Sequence, residues 1–159
     1  MFRPDLSRPL ETGMDVCGEA FPILELNERL CLGSERLLAY LAAVGGGHPV
    51  HTSPELALRA GFRDTPLPGV LMVGAALASL TRHFATLPIQ LLSVESRFLA
   101  PLMPGDEVGL AWRLDLSSLR RTRRYIEGAY DGGCTVVDGL EALSMRALIR
   151  VVTPLCEAA

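Results

Sequence analysis

The sequence predicts an α+β domain in which several antiparallel strands curl around one buried helix. The first observation behind this is the stretch from Gly69 to about Phe84. Val70, Leu71, Met72, Val73, Ala75, Ala76, Leu77, Ala78 and Leu80 leave it no polar face, and a helix of that kind has to be wrapped by other structure. The second is a change of hydrophobic period in the C-terminal half, from the helical 3.6 to the 2 of a strand. There Val108, Leu110, Trp112, Leu114 and Leu116 alternate with Gly109, Ala111, Arg113, Asp115 and Ser117. No internal repeat or low-complexity tract marks a second domain, so residues 29–159 are expected to form one domain.

Residues 1–28 are proline-dotted and aperiodic apart from Phe21 to Leu26, which predicts an N-terminal arm or peripheral strand. Leu30-Cys31-Leu32 suits a short strand. Ser34 is placed as the N-cap of a helix through Val44, with Leu37, Leu38, Leu41 and Val44 at helical spacing and Gly45-Gly46-Gly47 ending it. Ser53-Pro54-Glu55 opens a second, shorter helix with an N-cap, a proline at the first helical position and an acid in the first turn; Gly61 closes it. A loop over Phe62 to Pro68 leads into the apolar helix. Beyond it, strands are expected at Ile89 to Leu99, at Val108 to Leu116, at Tyr125 to Tyr130 and at Met145 to Val152. Pro101, Pro104 and Gly105-Asp106 punctuate the first connection, and Asp131-Gly132-Gly133 reads as a turn.

Composition narrows the class of function. The 159 residues suffice for one domain with a full-sized core, and the formal charge of −3 gives no basic face for nucleic acid. All fifteen cationic residues are arginine. Cys17, Cys31, Cys134 and Cys156 form no C-x-x-C pair, so neither a zinc framework nor a redox motif is indicated and no metal site is expected. The first ten residues carry no apolar signal segment, which leads to an expected cytoplasmic location. The uncharged stretch Thr65 to Thr81 is slightly short for a membrane span and is interrupted by two prolines and two glycines, so no membrane partner is expected.

The chemistry concentrates in Gly45-Gly46-Gly47-His48-Pro49-Val50-His51-Thr52-Ser53-Pro54. Two imidazoles three residues apart precede a glycine-started helix whose free backbone N–H groups suit a developing negative charge. His51 is a candidate general acid or base, or else a loop histidine that packs in the pocket. His48 is a second candidate proton carrier or a structural residue of the loop. Glu55 and Asp64 are candidate acids, each equally readable as a cap or a surface charge. Arg120, Arg121, Arg123 and Arg124 form a cationic cluster suited to phosphates or an acidic protein surface, or to a solvated turn. No aromatic platform accompanies it, which argues against RNA.

Four segments together, His48 to Glu55, Ala60-Gly61-Phe62, Pro66 to Leu71 and Arg97 to Asp106, resemble the MaoC-like, or (R)-specific enoyl-CoA hydratase, branch of the hot-dog fold, over roughly residues 30 to 152. The resemblance implies a dimer that binds acyl thioesters at its interface. It also implies a loop reading Asp-x-Asn-Pro-x-His, whose Asp and His hold the water added to a trans-2-enoyl thioester. A backbone N–H at the glycine opening the central helix then polarises the thioester carbonyl. The family's His falls on His51, its Pro on Pro49 and the helix glycine on Gly69. The Asp position holds Gly46, the Asn position holds His48, and the usual His-Gly before the helix is Pro68-Gly69.

The resulting expectation is a hydratase or dehydratase of enoyl or 3-hydroxyacyl thioesters, with His51 and His48 as catalytic residues, Gly69 N–H as oxyanion donor and the arginine cluster as candidate contacts to coenzyme A phosphates. No cofactor is expected beyond coenzyme A or acyl carrier protein as part of the substrate, and the assembly is expected to be a homodimer. Because a glycine cannot carry a proton, two other readings stand beside it. One is a non-catalytic acyl-binding or partner subunit in a heteromer; the other is a hot-dog thioesterase.

Overall fold

The computed structural model describes residues 24–84, 87–122 and 124–152. In chain order the elements are β1 (Glu25–Cys31), α1 (Ser34–Ala43), a 3-10 turn (Pro49–His51), α2 (Pro54–Arg59), α3 (Gly69–Arg82), β2 (Ile89–Phe98), β3 (Glu107–Arg121), β4 (Tyr125–Val136) and β5 (Glu141–Val152). The strands form one antiparallel sheet in the order β1-β3-β4-β5-β2. Helix α3 lies against one face of it, as the apolar run anticipates.

Side chains alternate across a strand, so register decides which residues face the helix. Leu114 stands beside Tyr130 and Tyr130 beside Ala147; Leu110 stands beside Cys134 and Cys134 beside Leu143. These residues, with Trp112, Met145 and Ile149, are buried together with Met72, Ala76 and Leu80 of α3. One polar link crosses this core. The indole Nε1–H of Trp112 donates to Ser79 Oγ at 3.3 Å, and that hydroxyl donates to the Ala76 carbonyl at 2.8 Å. The opposite face is charged: Glu25, Arg113, Asp131, Arg146 and Glu95 occupy successive strands in one lateral row.

Several expectations are corrected. Asp131-Gly132-Gly133 is not a turn but lies inside β4, paired with β3 and β5; its glycine at 132 makes room for the Trp112 ring, which a side chain there would strike. The chain reverses instead at Gly139, whose φ is +87°. Helix α1 is capped by Gly33, with Ser34 as its first helical residue, and only Leu37 and Leu41 of the expected stripe are buried. Among the described residues helix α3 is wrapped on one side only: Val70 is 64% exposed, and Gly74 and Ala78, one and two turns on, share its exposed line. The boundary drawn at residue 28 falls within β1; residues 1–23, with Cys17, and residues 153–159, with Cys156, lie outside the described residues. Cys31 and Cys134 are free thiols. Among the described residues no helix is long and apolar enough to cross a membrane.

Candidate functional site

The loop between α1 and α2 is built as a compact turn. Val44 and Gly46 close α1 through bonds from their N–H groups to Tyr40 and Leu41 carbonyls, and Gly46 has φ +105°, a conformation that favours glycine. His48 caps the following 3-10 turn: its Nδ1 accepts the Val50 N–H at 3.2 Å. Pro49 occupies the first position of that turn, and its carbonyl accepts from Thr52 and Ser53 N–H. Ser53 caps α2, as expected, with Oγ accepting from Leu56 N–H at 3.3 Å.

This turn sets His51 against the loop that enters α3. Its Nδ1 lies 2.8 Å from the Pro66 carbonyl oxygen. A carbonyl only accepts, so the proton sits on Nδ1 and the neutral ring keeps its lone pair on Nε2. The entry loop is held in turn by the Leu67 N–H, which donates to the Leu102 carbonyl at 2.7 Å. Arg63 grips Asp106 with contacts of 2.5 and 2.6 Å, while the same carboxylate accepts the Met103 N–H. The two walls of the site are thereby tied together by main chain and by an ion pair.

Between them lies a cavity of about 370 Å³. Its lining is apolar: Phe62, Met72, Phe98, Leu99, Leu102 and Leu143 are among its walls, and Gly69 and Val70 form its contact with the start of α3. Among the described residues His51 is the sole ionisable side chain that lines the cavity. Pro68 has no N–H, so Gly69 offers the first main-chain donor of the helix. The first intrahelical acceptance by Pro68 comes from Leu71, at 3.0 Å, and the N–H groups of the opening turn are those a helix leaves without internal partners.

The structure thus brings His51 and Gly69 to one pocket and leaves the other candidates elsewhere. His48 is exposed and engaged as a cap. Glu55 is exposed on α2, and Asp64 accepts from its neighbour Thr65 N–H at 2.6 Å; neither lines the cavity. Arg120 and Arg121 end β3 and Arg124 precedes β4, all exposed; Arg123 lies outside the described residues. Arg121 shares a lateral row with Ile126, Val151 and Ile89. The cavity wall at Phe98 is therefore nine residues farther along β2, roughly 30 Å at the rise of a strand.

Sequence reasoning missed the Phe98-Leu99-Ala100-Pro101 wall as part of the site. Its signal was a strand rich in apolar residues running straight into proline. Pairing of Phe98 with Leu143, and donation from Leu99 and Ala100 N–H to the Ala142 carbonyl, carry this segment to the cavity.

A sequence profile of the MaoC like domain matches residues 27–130. Among solved structures, the chain is similar to a monoamine oxidase regulatory protein from Archaeoglobus fulgius, with TM-score 0.72 and 15% identity over 82% of this chain and 90% of that one. It is similar to the (R)-hydratase from A. caviae involved in PHA biosynthesis, with TM-score 0.68 and 18% identity over 79% and 92%. A third similar structure is the C-terminally truncated HadBC (3R-hydroxyacyl-ACP dehydratase) complex from Mycobacterium tuberculosis, with TM-score 0.67 and 17% identity over 79% and 95%. No curated protein matches the sequence significantly. The structural likenesses identify the hot-dog fold, and the profile covers more than half of the chain: this protein belongs to the MaoC-like dehydratase domain family.

Proposed function

We propose that the protein hydrates trans-2-enoyl thioesters, or dehydrates 3-hydroxyacyl thioesters in the reverse direction, with an active site reduced to one proton carrier. The observation that carries this reading is the His51–Pro66 hydrogen bond of 2.8 Å, which orients the imidazole at the wall of an otherwise apolar cavity. The apolar lining suits an acyl chain, and the opening turn of α3 suits the carbonyl oxygen on which charge develops.

In hydration, Nε2 of His51 takes a proton from water as the water oxygen bonds to C3 of the enoyl group. The electron pair of the double bond moves toward the carbonyl, and the enolate oxygen is held by the Gly69 N–H. The imidazolium then returns the proton to C2. One residue serves as base and then acid, so no carboxylate is required for the balance. Coenzyme A or an acyl carrier protein carries the substrate, and the working unit is a homodimer. The arginine cluster stands about 30 Å from Phe98 along β2 in the same chain and is given no role in the chemical step.

A specific observation favours a second reading. Among the described residues no carboxylate lines the cavity, as expected of a subunit that binds an acyl group while a partner chain supplies the acid; the similar HadBC dehydratase structure is itself a complex. A thioesterase is the third. Crotonyl-CoA separates the three. Loss of the enoyl absorbance without free thiol supports hydration, free thiol supports the thioesterase, and binding without turnover supports the partner subunit. Under the hydration reading His51→Ala abolishes turnover; activity retained in that variant refutes the assignment.

A further inference from the structure

Three hydrogen bonds join head to tail behind His51. The first runs from its Nδ1–H to the Pro66 carbonyl at 2.8 Å. That carbonyl belongs to the same peptide unit as the Leu67 N–H, which donates to the Leu102 carbonyl at 2.7 Å. The Leu102 carbonyl in turn shares its peptide unit with the Met103 N–H, which donates to Asp106 Oδ2 at 2.8 Å. Two planar peptide groups therefore lead from the imidazole to a carboxylate that does not line the cavity.

We propose that Asp106 is a positioning residue for His51, acting through peptide units 66–67 and 102–103 to hold the imidazole as its Nδ1–H tautomer and to strengthen Nε2 as a base. The inference deepens the hydration reading above and rests on it for the use of the ring in turnover, but not for the link between carboxylate and ring.

The polarity of the chain supplies the argument. Every link donates toward Asp106. Negative charge on the carboxylate draws the Met103 N–H, which makes the Leu102 oxygen a stronger acceptor, and the same happens again at the Pro66 oxygen. All three distances fall at the short end for an N–H···O bond. Leu67, Leu102 and Met103 are buried, so the polarisation passes through protein of low dielectric and not through water. No proton travels along the chain. The effect is felt at the ring, where an acceptor on Nδ1–H fixes the tautomer and stabilises the imidazolium formed when Nε2 takes a proton.

Arg63 fixes the far end. Its guanidinium meets both Asp106 oxygens, at 2.5 and 2.6 Å, and it stands in the same loop as Pro66, so the carboxylate is anchored to the loop it polarises. Asp64, nearer to Pro66 in sequence, accepts from the Thr65 N–H, whose peptide unit takes no part in this chain.

The test is the position of the His51 ring proton in the full-length, 15N-labelled protein at pH 8. The ring nitrogens are read through the carbon-bound ring protons and assigned by their loss in His51→Ala; circular dichroism checks folding. The wild type should carry its proton on Nδ1, and a ring protonated on Nε2 overturns the proposal before any variant is made. Asp106→Asn should lower the Nδ1–H share. Arg63→Gln breaks the same ion pair but leaves the carboxylate on the Met103 N–H, and should not lower it. Equal loss in both variants means that the ion pair merely braces the loop, and it overturns the proposal, as does a ring indifferent to Asp106→Asn. Crotonyl-CoA kinetics keep the two readings separate. Asp106→Asn should reduce kcat about tenfold with KM little changed, a part of what a general base contributes. A ring that answers to Asp106 in a protein without turnover upholds the link and refutes the hydration reading; turnover with a ring indifferent to Asp106 does the opposite.

Discussion

The Phe98 ring lies across the first residue of α3, so closely that a methyl group on Gly69 would stand 2.5 Å from Cε1 of that ring. The glycine gives that ring its room, and its own backbone does not demand it, since φ at Gly69 lies outside the left-handed region. Gly69→Ala should therefore cost about 1–3 kcal/mol through overpacking. Urea denaturation should show the loss largely reversed in the Gly69→Ala/Phe98→Ala pair relative to Phe98→Ala alone. Persistence of the full penalty in the double variant would point to a backbone requirement instead.

Placing an acid at position 46, where the resemblance aligns the family's Asp, should not be a simple repair. Gly46 has φ +105°, and a Cβ built there meets nothing within 4 Å, whereas one at Gly47 comes to 3.9 Å from His51 Cδ2 and 2.7 Å from Leu41 Cδ2. Gly46→Asp is expected to lose about 1–3 kcal/mol to backbone strain and to leave crotonyl-CoA turnover at the wild-type level. A thermal melt and an enoyl absorbance assay check the two parts, and a gain of hydration would show that the loop can rearrange around the new carboxylate.

Ser79→Ala removes the acceptor of the buried Trp112 Nε1–H. An indole donor left without a partner in the core costs about 1–3 kcal/mol. Trp112→Phe together with Ser79→Ala should lose less than the sum of the single changes, measured as urea midpoints at constant slope.

Acid stability should report on Asp115. Hydrogen bonding from Ser117 and then from Arg146 holds its carboxyl down at about 2. A depressed value means that the unfolded chain binds the proton more readily, so stability present above the unfolded value near 4 is lost as pH falls toward 2. Asp115→Asn should flatten the fall in urea midpoint between pH 4 and pH 2, while a slope unchanged from wild type would remove Asp115 as its source.

Native thiol labelling should discriminate the two described cysteines. Burial pushes the Cys134 thiol up to about 12, and Cys31 is exposed. Peptide mapping after brief iodoacetamide treatment at pH 8 should find Cys31 modified and Cys134 intact. Rapid labelling of Cys134 would mean that the β4 region opens locally.

The sequence was legible where one residue type has one local use. Ser53-Pro54-Glu55 announced α2 because a hydroxyl cap and a proline at the first helical position satisfy that helix end alone, and the period-2 run after Glu107 announced β3. The elements that were misread involve residues whose use depends on a distant neighbour. Gly132 resembles a turn glycine until Trp112, twenty positions away, is known to fill its space. In the candidate site, His51 and Gly69 were legible from their spacing around α2. The apolar wall from Phe98 to Leu102 was not, because only strand pairing with Leu143 and the Leu67–Leu102 hydrogen bond bring it there. Likewise nothing in the spacing of Arg120 to Arg124 tells which end of the sheet they occupy.

That α3 opens on Pro68 followed by glycine has a consequence for how this pocket changes over generations. The donors at its helix end belong to the main chain, so a substitution at residue 69 alters the packing against Phe98 but leaves an N–H in place unless the new residue is proline. Drift can silence His51 in a single step, or close the space with a bulkier wall, yet the pole of the helix persists. Under the function proposed above, a lineage that loses the reaction would still keep main-chain donors at this helix end for whichever acyl group its walls next come to fit.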